Sequence, residues 1–253
     1  MLVFIIPVKS ATVAKDWGST CRLFQRTLRS TCQQRSPAFR TIVVCNEHPA
    51  PQFHHPQVEF LTVDFVPPAK ETNPIARGLT DKGRKVLKGL IHARDTAEPT
   101  DPPTHAMIVD SDDCVSQRLA GLVQQQPDRE GWYLHQGYKY REGDRVLYLK
   151  RRNFYRMSGT ANIVAFHRLQ LPAIPEYNRG YGYYKFYVDH QKVRAMMADR
   201  GTPMDSLPFP GAVYVLATGD NMSGNEDNLS FNFLNRRPLT PALAQEFALD
   251  TPP

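Results

Sequence analysis

Three carboxylates, Asp110, Asp112 and Asp113, follow a short apolar run at residues 106–109. An apolar run of this length predicts a buried strand, and in open α/β sheets ligands bind beyond the carboxyl ends of the strands. If the chain stays extended there, Asp110 and Asp112 point to the same side. Two carboxylates held that close repel each other, so the spacing favours a divalent cation with oxygen ligands and a diphosphate as its companion.

A simpler interpretation is a solvated turn in which Asp112 or Asp113 caps a helix that begins near residue 115. Aspartate is a common helix N-cap, so this alternative has a physical basis. We favour the metal and nucleotide interpretation because a predicted strand runs directly into the carboxylates, near the middle of an α/β chain.

The composition is that of a globular protein suited to anionic ligands. The chain has 253 residues, of which 41% are hydrophobic, and a net charge of +6, which suits sugar nucleotides or a phospholipid surface. The chain has no run of five or six basic residues that would indicate binding to nucleic acid. No apolar run approaches the length of a membrane span, so we expect at most peripheral membrane contact. Cys21 and Cys32 fall about 16 Å apart on one predicted helix, too far for a disulfide, and reduced thiols favour a cytoplasmic location.

The first half of the chain alternates strands and helices. Strands are predicted at residues 2–6, 40–45, 58–64 and 106–109, and helices at residues 17–32 and 80–94. This β-α-β-β-α-β order predicts an α/β fold with a mainly parallel sheet flanked by helices. The first strand is not followed by a glycine-rich phosphate loop, and no Walker A motif is present, so a dinucleotide fold is disfavoured.

Polar residues follow each of the first three strands, Lys9 after the first, Glu47 after the second and Asp64 after the third. Carboxyl ends of parallel strands meet at one edge, so we expect these side chains near the carboxylates. The helix at residues 80–94 begins with several basic residues. These residues either form a solvated helix face or include a lysine, Lys82 or Lys85, that reaches a diphosphate.

The second half is aromatic and rich in glycine. Residues 131–140 and 145–149 predict an antiparallel hairpin, and a tyrosine-rich stretch at residues 178–187 leads to Asp189 and His190. Its tyrosines can stack on a sugar or belong to the core. We predict a helix at residues 191–198, and a strand at residues 212–217 that ends in a polar, glycine-rich loop suited to a phosphate.

We expect a single domain. Its nucleotide-binding half would be residues 1–125, its acceptor half residues 126–235, and a C-terminal helix and tail would occupy residues 236–253. Thr240 and Pro241 predict the start of that helix, with threonine as the cap and proline at the first helical position.

Three segments in order resemble the GT-A glycosyltransferases, most nearly their family 2-like group. They are FIIPV at residues 4–8, IVVCNE at residues 42–47 and MIVDSDD at residues 107–113. The resemblance covers the first half well, and the second half only in layout. It implies a single GT-A type domain and a metal-dependent hexosyltransferase that moves a sugar from a UDP- or GDP-sugar, with inversion, to a glycan, lipid-linked or small-molecule hydroxyl. The Gln-x-x-Arg-Trp motif of processive synthases is absent, which favours transfer of a single sugar.

The resemblance also implies roles for residues of the nucleotide half. Pro7 and Lys9 would border the base and ribose, Glu47 or Asp64 would lie at the base, and Lys82 would lie near the phosphates.

The acidic segment would hold the metal. Asp110 would hold the ribose or the water shell of the metal, with Ser111 beside it among the substrate-binding residues. Asp112 would bind Mn²⁺ or Mg²⁺ to the donor diphosphate, where the metal acts as a Lewis acid.

An inverting enzyme also needs a base for the acceptor hydroxyl. Asp189 is our choice, with a helix N-cap as its alternative role. His190 is either a base, a ligand or a hydrogen-bonded structural residue. Many members of the family place a metal-binding histidine late in the chain, and none follows His190. Asp220 or Asn221 takes that place, or Asp112, diphosphate and water hold the metal alone.

Two other functions remain as alternatives. A sugar-phosphate nucleotidyltransferase would need a glycine-rich loop after the first strand, which the chain lacks. A non-catalytic binding domain with the same fold would have no use for three clustered carboxylates, which cost solvation and repel one another.

Overall fold

The computed structural model of the chain describes residues 1–49, 53–66, 73–216 and 233–250. Its strands are β1 (Leu2–Pro7), β2 (Phe39–Cys45), β3 (Val58–Thr62), β4 (His105–Ile108), β5 (Cys114–Val115), β6 (Gly131–Tyr133), β7 (Gly137–Arg141), β8 (Val146–Lys150), β9 (Asn162–Ala165), β10 (Asp205–Ser206), β11 (Ala212–Leu216) and β12 (Arg236–Pro238). Its α-helices are α1 (Trp17–Cys32), α2 (Pro74–Asp95), α3 (Leu119–Gln125), α4 (Tyr181–Val188), α5 (His190–Asp199) and α6 (Pro241–Phe247).

The central sheet has seven strands in the order β10-β6-β9-β4-β1-β2-β3. Strands β4, β1, β2 and β3 are parallel neighbours, β9 runs antiparallel to both β4 and β6, and β10 is parallel to β6. A second sheet has five strands in the order β12-β8-β7-β11-β5, and it contains the antiparallel β7–β8 hairpin. The predicted fold class is therefore confirmed as α/β, with a mainly parallel sheet flanked by helices.

Strand β1 marks the point where the strand order reverses. It pairs with β2 on one side and with β4 on the other, because the chain runs from β1 through β2 to β3 on one side and then crosses over to β4 on the other. At such a switch point the loops after the two strands diverge and leave a crevice at the carboxyl edge of the sheet. The crevice lies between the loop that carries Lys9 and the loop that carries the carboxylates.

Different helices cover the two faces of β1. Phe4 packs in one apolar cluster with Phe24 of α1. Ile5 points to the opposite face, where it packs with Leu90 of α2 and Met197 of α5. Successive side chains of a strand alternate between faces, so the continuous apolar run of β1 follows from its burial on both sides.

Capping residues explain where three helices begin. Asp16 caps α1, as its position predicts, by accepting a hydrogen bond from the Ser19 N–H at 3.1 Å. Helix α2 begins six residues earlier than predicted, because Asn73 accepts from the first-turn backbone and Pro74 suits the first helical position. Thr240 caps α6, which confirms the predicted start of the C-terminal helix.

A helix follows the carboxylates, but the start predicted for it near residue 115 is too early. Cys114 and Val115 instead form β5, which pairs antiparallel with β11, and α3 begins only at Leu119. The position before α3 is Arg118, which makes no side-chain capping bond. The interpretation of Asp112 or Asp113 as a helix cap is therefore wrong.

The second half departs further from its prediction. The β7–β8 hairpin is confirmed, but the segment at residues 131–140 splits into β6 of the first sheet and β7 of the second. The tyrosine-rich stretch forms helix α4. The glycine-rich loop predicted at residues 218–224, with Asp220 and Asn221, lies outside the described residues. Within the described part of the chain, no helix combines the length and apolarity that crossing a bilayer requires.

Candidate active site

One edge of the central sheet collects the predicted site residues. Strands β1, β2, β3 and β4 are parallel, so Lys9, Glu47, Asp64 and Asp110 all follow strand ends at this edge. Strand β9 is antiparallel to β4, so the turn at residues 158–161 that enters β9 lies at the same edge. The topology alone therefore places five loops around one crevice.

Lys82 and Asp110 form an ion pair between Nζ and Oδ1 at this edge. Lys82 comes from α2 and Asp110 follows β4, and both side chains are largely buried, at 18% and 27% exposed. The loop that carries Asp110, Asp112 and Asp113 is called the acidic loop. The backbone N–H of Asp110 donates to Oγ1 of Thr160 at 2.9 Å, which ties the acidic loop to the turn before β9. Gly159 packs so closely that a Cβ there would come within 2.7 Å of Nζ of Lys82. This close approach requires glycine, because any other residue would place a Cβ there.

Asp112 is half-buried beside Asp110 and forms no ion pair with another described residue. Burial, reinforced by the negative charge of Asp110, raises the pKa of Asp112 to about 6, although Lys9 and Lys82 act in the opposite direction. The carboxylate is therefore held where its negative charge is poorly compensated. A ligand of opposite charge would relieve this, which is the electrostatic condition for binding a cation.

Asp113 is a structural residue. It is fully buried, and it accepts hydrogen bonds from Oγ of Ser158 at 2.7 Å and from the Val215 N–H at 3.2 Å. Burial raises the pKa of Asp113 well above its usual value, and the neighbouring acidic charges act in the same direction. Its carboxyl group joins the acidic loop to the turn before β9 and to β11.

His190 lies close enough to the Lys82–Asp110 pair to respond to both charges. Burial and the charge of Lys82 lower the pKa of His190, so its imidazole is neutral at pH 7. Its Nε2 atom is buried and has no hydrogen-bond partner among the described residues. A neutral imidazole with an unpartnered nitrogen can accept a proton.

Asp189 has other partners than the backbone of the helix that it precedes. Its Oδ2 accepts a hydrogen bond from the hydroxyl of Tyr181 at 2.9 Å and forms an ion pair with Nζ of Lys192 at 3.1 Å. It occupies the N-cap position of α5, as its alternative role predicts, but its side chain makes no capping bond. Burial raises the pKa of Tyr181 to about 12, and the hydrogen bond to Asp189 adds to this effect.

An open cleft of about 590 Å³ lies beyond the ends of β1, β2 and β3. Glu47 and Asp64 both line it, with Ser10 from the loop after β1. Glu47 accepts from Oγ of Ser10 at 2.8 Å and from the Ala11 N–H at 3.0 Å. Desolvation alone would raise the pKa of Glu47, but these hydrogen bonds lower it below its usual value. The cleft therefore offers a carboxylate that is ionised at neutral pH.

Asn46 joins two walls of this cleft. Its Nδ2 donates to the carbonyls of Val63 at 3.2 Å and Phe65 at 3.1 Å. The end of β2 is thus bonded to the chain that follows β3. Asp64, between these two residues, is exposed to the cleft.

Two predicted residues contribute differently from expectation. Pro7 is the last residue of β1 and is buried, so it sets the path of the loop without presenting its ring. Lys85 is fully buried, and its Nζ donates to the Val8 carbonyl at 2.9 Å and to Asp81 at 2.8 Å, so it is not available to a diphosphate. Ser111 lies half-buried in the turn between Asp110 and Asp112. Asn221 lies outside the described residues.

The structure adds site residues that the sequence did not single out. Ser10 binds Glu47, while Ser158, Gly159 and Thr160 support the acidic loop. The available signal was a small polar turn immediately before a strand. Its relevance depends on β9 being antiparallel to β4, which the local pattern does not specify.

Comparisons with known proteins identify no family for this chain. No family model matches it, and no curated protein matches it. Among solved structures, it is similar to S. aureus TarS at 11% identity and a TM-score of 0.43, over 85% of this chain and 36% of that chain. It is similar to S. aureus TarS 1-349 at 10% identity and the same TM-score of 0.43, over 85% of this chain and 60% of that chain. The chain thus spans less than two thirds of either structure. A likeness at this level assigns neither a family nor an activity.

Proposed function

We propose that the protein is a metal-dependent glycosyltransferase of the GT-A type, which moves one hexose from a UDP- or GDP-sugar to a hydroxyl acceptor with inversion. The observation that carries this proposal is the position of Asp110 and Asp112 at the switch point between β1 and β4, with Lys82 beside them. An anionic ligand with a cation fits a site that combines the poorly compensated carboxylate of Asp112 with the Lys82–Asp110 ion pair.

The nucleoside would occupy the cleft lined by Glu47 and Asp64. An ionised carboxylate can accept hydrogen bonds from the N–H groups of a base or from ribose hydroxyls. From this cleft the diphosphate would extend toward Lys9 and Lys82, which supply positive charge at the crevice.

Asp112 fits a divalent metal because it is a half-buried oxygen ligand whose charge is poorly compensated. Asp112, together with Asp110, would hold Mn²⁺ or Mg²⁺, and the metal supplies Lewis-acid stabilisation to the departing diphosphate. Among the described residues, no three His, Cys, Asp or Glu side chains gather as a complete metal cage. Sites that use one or two carboxylates complete their coordination with substrate phosphates and water.

The transfer requires a base at the acceptor. In our proposal the acceptor oxygen attacks the anomeric carbon, the bond to the diphosphate breaks, and the diphosphate leaves with the bonding electron pair. The hydroxyl proton passes to Nε2 of His190, which is neutral at pH 7 and unpartnered among the described residues. Asp189 precedes His190 and acts through its negative charge, which stabilises the imidazolium that forms.

A thermal-shift panel of nucleoside diphosphates and nucleotide sugars, with and without MnCl₂, tests this proposal. A ligand at 100 times its Kd stabilises the native state by about 2.7 kcal/mol, which raises the Tm of a chain of this size by about 5–10 °C. We expect one UDP- or GDP-ligand to give this shift only with the metal, and Asp112→Asn to abolish it. Asp128→Asn, a substitution of an exposed aspartate, is the matched control.

Two outcomes would contradict the proposal. Release of pyrophosphate from a nucleoside triphosphate and a sugar phosphate would identify a nucleotidyltransferase. No shift with any nucleotide, and an Asp112→Asn variant that behaves like the parent, would identify a non-catalytic binding domain.

A further inference from the structure

Two arginines and two tyrosines form a cluster beside His190, and the proposed function gives this cluster no role. We call Tyr133, Tyr155, Arg156 and Arg194 the arginine–tyrosine cluster. Tyr133 ends β6, while Tyr155 and Arg156 belong to the 3₁₀ turn Phe154–Arg156. Arg194 lies on α5, one helical turn after His190.

Arg194 holds the cluster together. Its guanidinium lies 4.6 Å from the ring centroid of Tyr133 and 5.7 Å from that of Tyr155. Its Nη1 donates to the hydroxyl of Tyr155 at 3.2 Å. The guanidinium of Arg156 lies 6.0 Å from the same ring. Stacking on an aromatic face fixes the orientation of a guanidinium and leaves its other N–H groups directed outward.

Neither guanidinium of the cluster forms an ion pair with a described residue. Elsewhere Arg40 pairs with Glu59 and Arg168 with Glu130, each through two hydrogen bonds. Arg156 and Arg194 are exposed and lie on one buried phenol without a carboxylate. Like charges held together in this way favour a bound anion.

The pKa of the Tyr155 hydroxyl responds to the positive charge of the cluster. The Tyr155 side chain is almost fully buried, which alone would raise the pKa of its hydroxyl. The guanidiniums of Arg156 and Arg194 reverse this effect and lower the pKa below its usual value. The positive charge of the cluster therefore outweighs the effect of burial on the pKa of this hydroxyl.

The cluster is held at a fixed distance from His190. His190 and Arg194 are four residues apart on α5, so their side chains are neighbours on one helix face, with about 5–6 Å between Cβ atoms. Nε2 of Gln191 donates to the Arg156 carbonyl at 2.9 Å, and Nδ2 of Asn162 donates to the His190 carbonyl at 3.0 Å. The start of α5 is therefore bonded to both the 3₁₀ turn and β9.

We infer that the acceptor carries an oxyanion, a phosphate monoester or a carboxylate, close to its reacting hydroxyl, and that Arg156 and Arg194 bind this group. The inference rests on the proposed function, in which His190 takes the proton of that hydroxyl. A guanidinium presents two parallel N–H groups that match the oxygens of a carboxylate or phosphate, which an ammonium cannot do. The cluster would select a charged acceptor over a neutral polyol and place its hydroxyl one helical turn away.

Binding of three small polyols without any donor tests the inference. Glycerol 3-phosphate, glycerate and glycerol differ in the anionic group, and calorimetry gives the Kd of each. We expect one or both anionic probes to bind at least about tenfold more tightly than glycerol, since a hydrogen bond to a charged group contributes that order of affinity. The stronger anionic probe distinguishes a phosphate site from a carboxylate site.

Variants identify the cluster as the binding site. Arg194→Met and Arg156→Met should each weaken binding of the anionic probe by about tenfold or more. Arg194→Lys should recover part of the affinity, because the charge returns without the planar fork. Arg200→Met is the matched control, since Arg200 also lies on an aromatic ring, 4.4 Å from the centroid of Phe186, at the far end of α5.

The result that would overturn the inference is equal binding of glycerol and the anionic probes. Equal losses in Arg194→Met and Arg200→Met would overturn it too. Donor binding with no preference for a charged acceptor would overturn this inference and leave the glycosyltransferase proposal standing. A donor panel without any shift, beside anion binding that depends on Arg156 and Arg194, would overturn the proposed function and leave the anion site standing.

Discussion

Nζ of Lys82 and Oδ1 of Asp110 form an ion pair at the carboxyl edge of the sheet, and the backbone of Gly159 lies against both side chains. Lys82 comes from the helix before β4, Asp110 from the loop after β4, and Gly159 from the turn before β9. Three separate segments therefore set the position of one charge pair. The absence of a side chain at residue 159 is part of that geometry.

Gly159→Ala should impair turnover more than it impairs folding. The added Cβ would overlap Oδ2 of Asp110 and lie within 2.7 Å of Nζ of Lys82, so the ion pair must move. Displacement of a positioned group by about 1 Å can reduce turnover by about 100-fold, while overpacking costs about 1–3 kcal/mol of unfolding free energy. Transferase assays and urea unfolding measure the two effects.

The matched control for this substitution is Gly182→Ala. Gly182 lies in α4 without positive φ, and no atom lies within 4 Å of a Cβ added there. Alanine in a helix is more stable than glycine by about 0.5–1 kcal/mol, so this variant should be at least as stable as the parent. Equal activity of the Gly159→Ala and Gly182→Ala proteins would show that the Lys82–Asp110 geometry does not matter for turnover.

The sequence predicted the carboxyl edge of the sheet well and the supporting contacts poorly. Strand β1 is apolar throughout and Asp16 is a strong cap, so local patterns identify β1 and α1. Asp113 is different, because its partners Ser158 and Val215 are 45 and 102 residues away. Local periodicity carries no information about such partners. The wrong helix start near residue 115 has the same cause, since β5 exists only because a distant strand pairs with it.

Helix α4 was missed for another physical reason. Its sequence, YGYYKFYV, carries aromatic residues on nearly every side and so has no clear apolar stripe. Tyr184 is buried against α2, where Gly83 leaves room for its ring, and Tyr183 is exposed. Packing against α2 rather than periodicity makes this segment helical. The arginine–tyrosine cluster was missed likewise, because α5 brings Arg194 to the 3₁₀ turn across 39 residues.

Asp112→Asn should abolish the metal-dependent nucleotide shift without loss of stability in the metal-free protein. The pKa of Asp112 is raised from 3.8 to about 6, so the folded state binds this proton more tightly than the unfolded state does. The contribution of this group to the unfolding free energy therefore falls as the pH rises from about 4 to above 6. At pH 7.5 the asparagine variant should be as stable as the parent or up to about 2 kcal/mol more stable.

Denaturant unfolding between pH 4 and 7.5 measures this effect, with Asp128→Asn as the exposed control. The parent-to-variant difference should vanish near pH 4, where Asp112 is protonated in the folded state. A variant that is less stable than the parent at every pH would mean that Asp112 stabilises the fold, and its proposed metal-binding role would lose this support. The control should follow the parent throughout the range.

Glu246→Gln should destabilise the protein at neutral pH but not at acidic pH. Glu246 of α6 accepts hydrogen bonds from Oγ of Ser116, from Nε of Arg118 at 2.8 Å and from Nε2 of Gln117 at 3.1 Å. Desolvation acts to raise the pKa of Glu246, but these bonds lower it below its usual 4.5. A lowered pKa means that the stabilisation is present above pH 4.5 and is lost as the pH falls through the folded-state value.

The expected loss for Glu246→Gln at pH 7 is about 1–3 kcal/mol, because the charged acceptor disappears and Arg118 loses its ion pair. Urea unfolding at pH 7 and at pH 3.5 measures the difference, which should shrink at the lower pH, because the unfolded parent binds a proton below its usual pKa of 4.5. Glu98→Gln, at an exposed glutamate, should change neither value. A loss of the same size at both pH values would show that shape rather than charge docks α6. Glu246 binds the segment between β5 and α3, and that segment follows directly after the acidic loop. The same titration therefore tests whether α6 stabilises the candidate site as well.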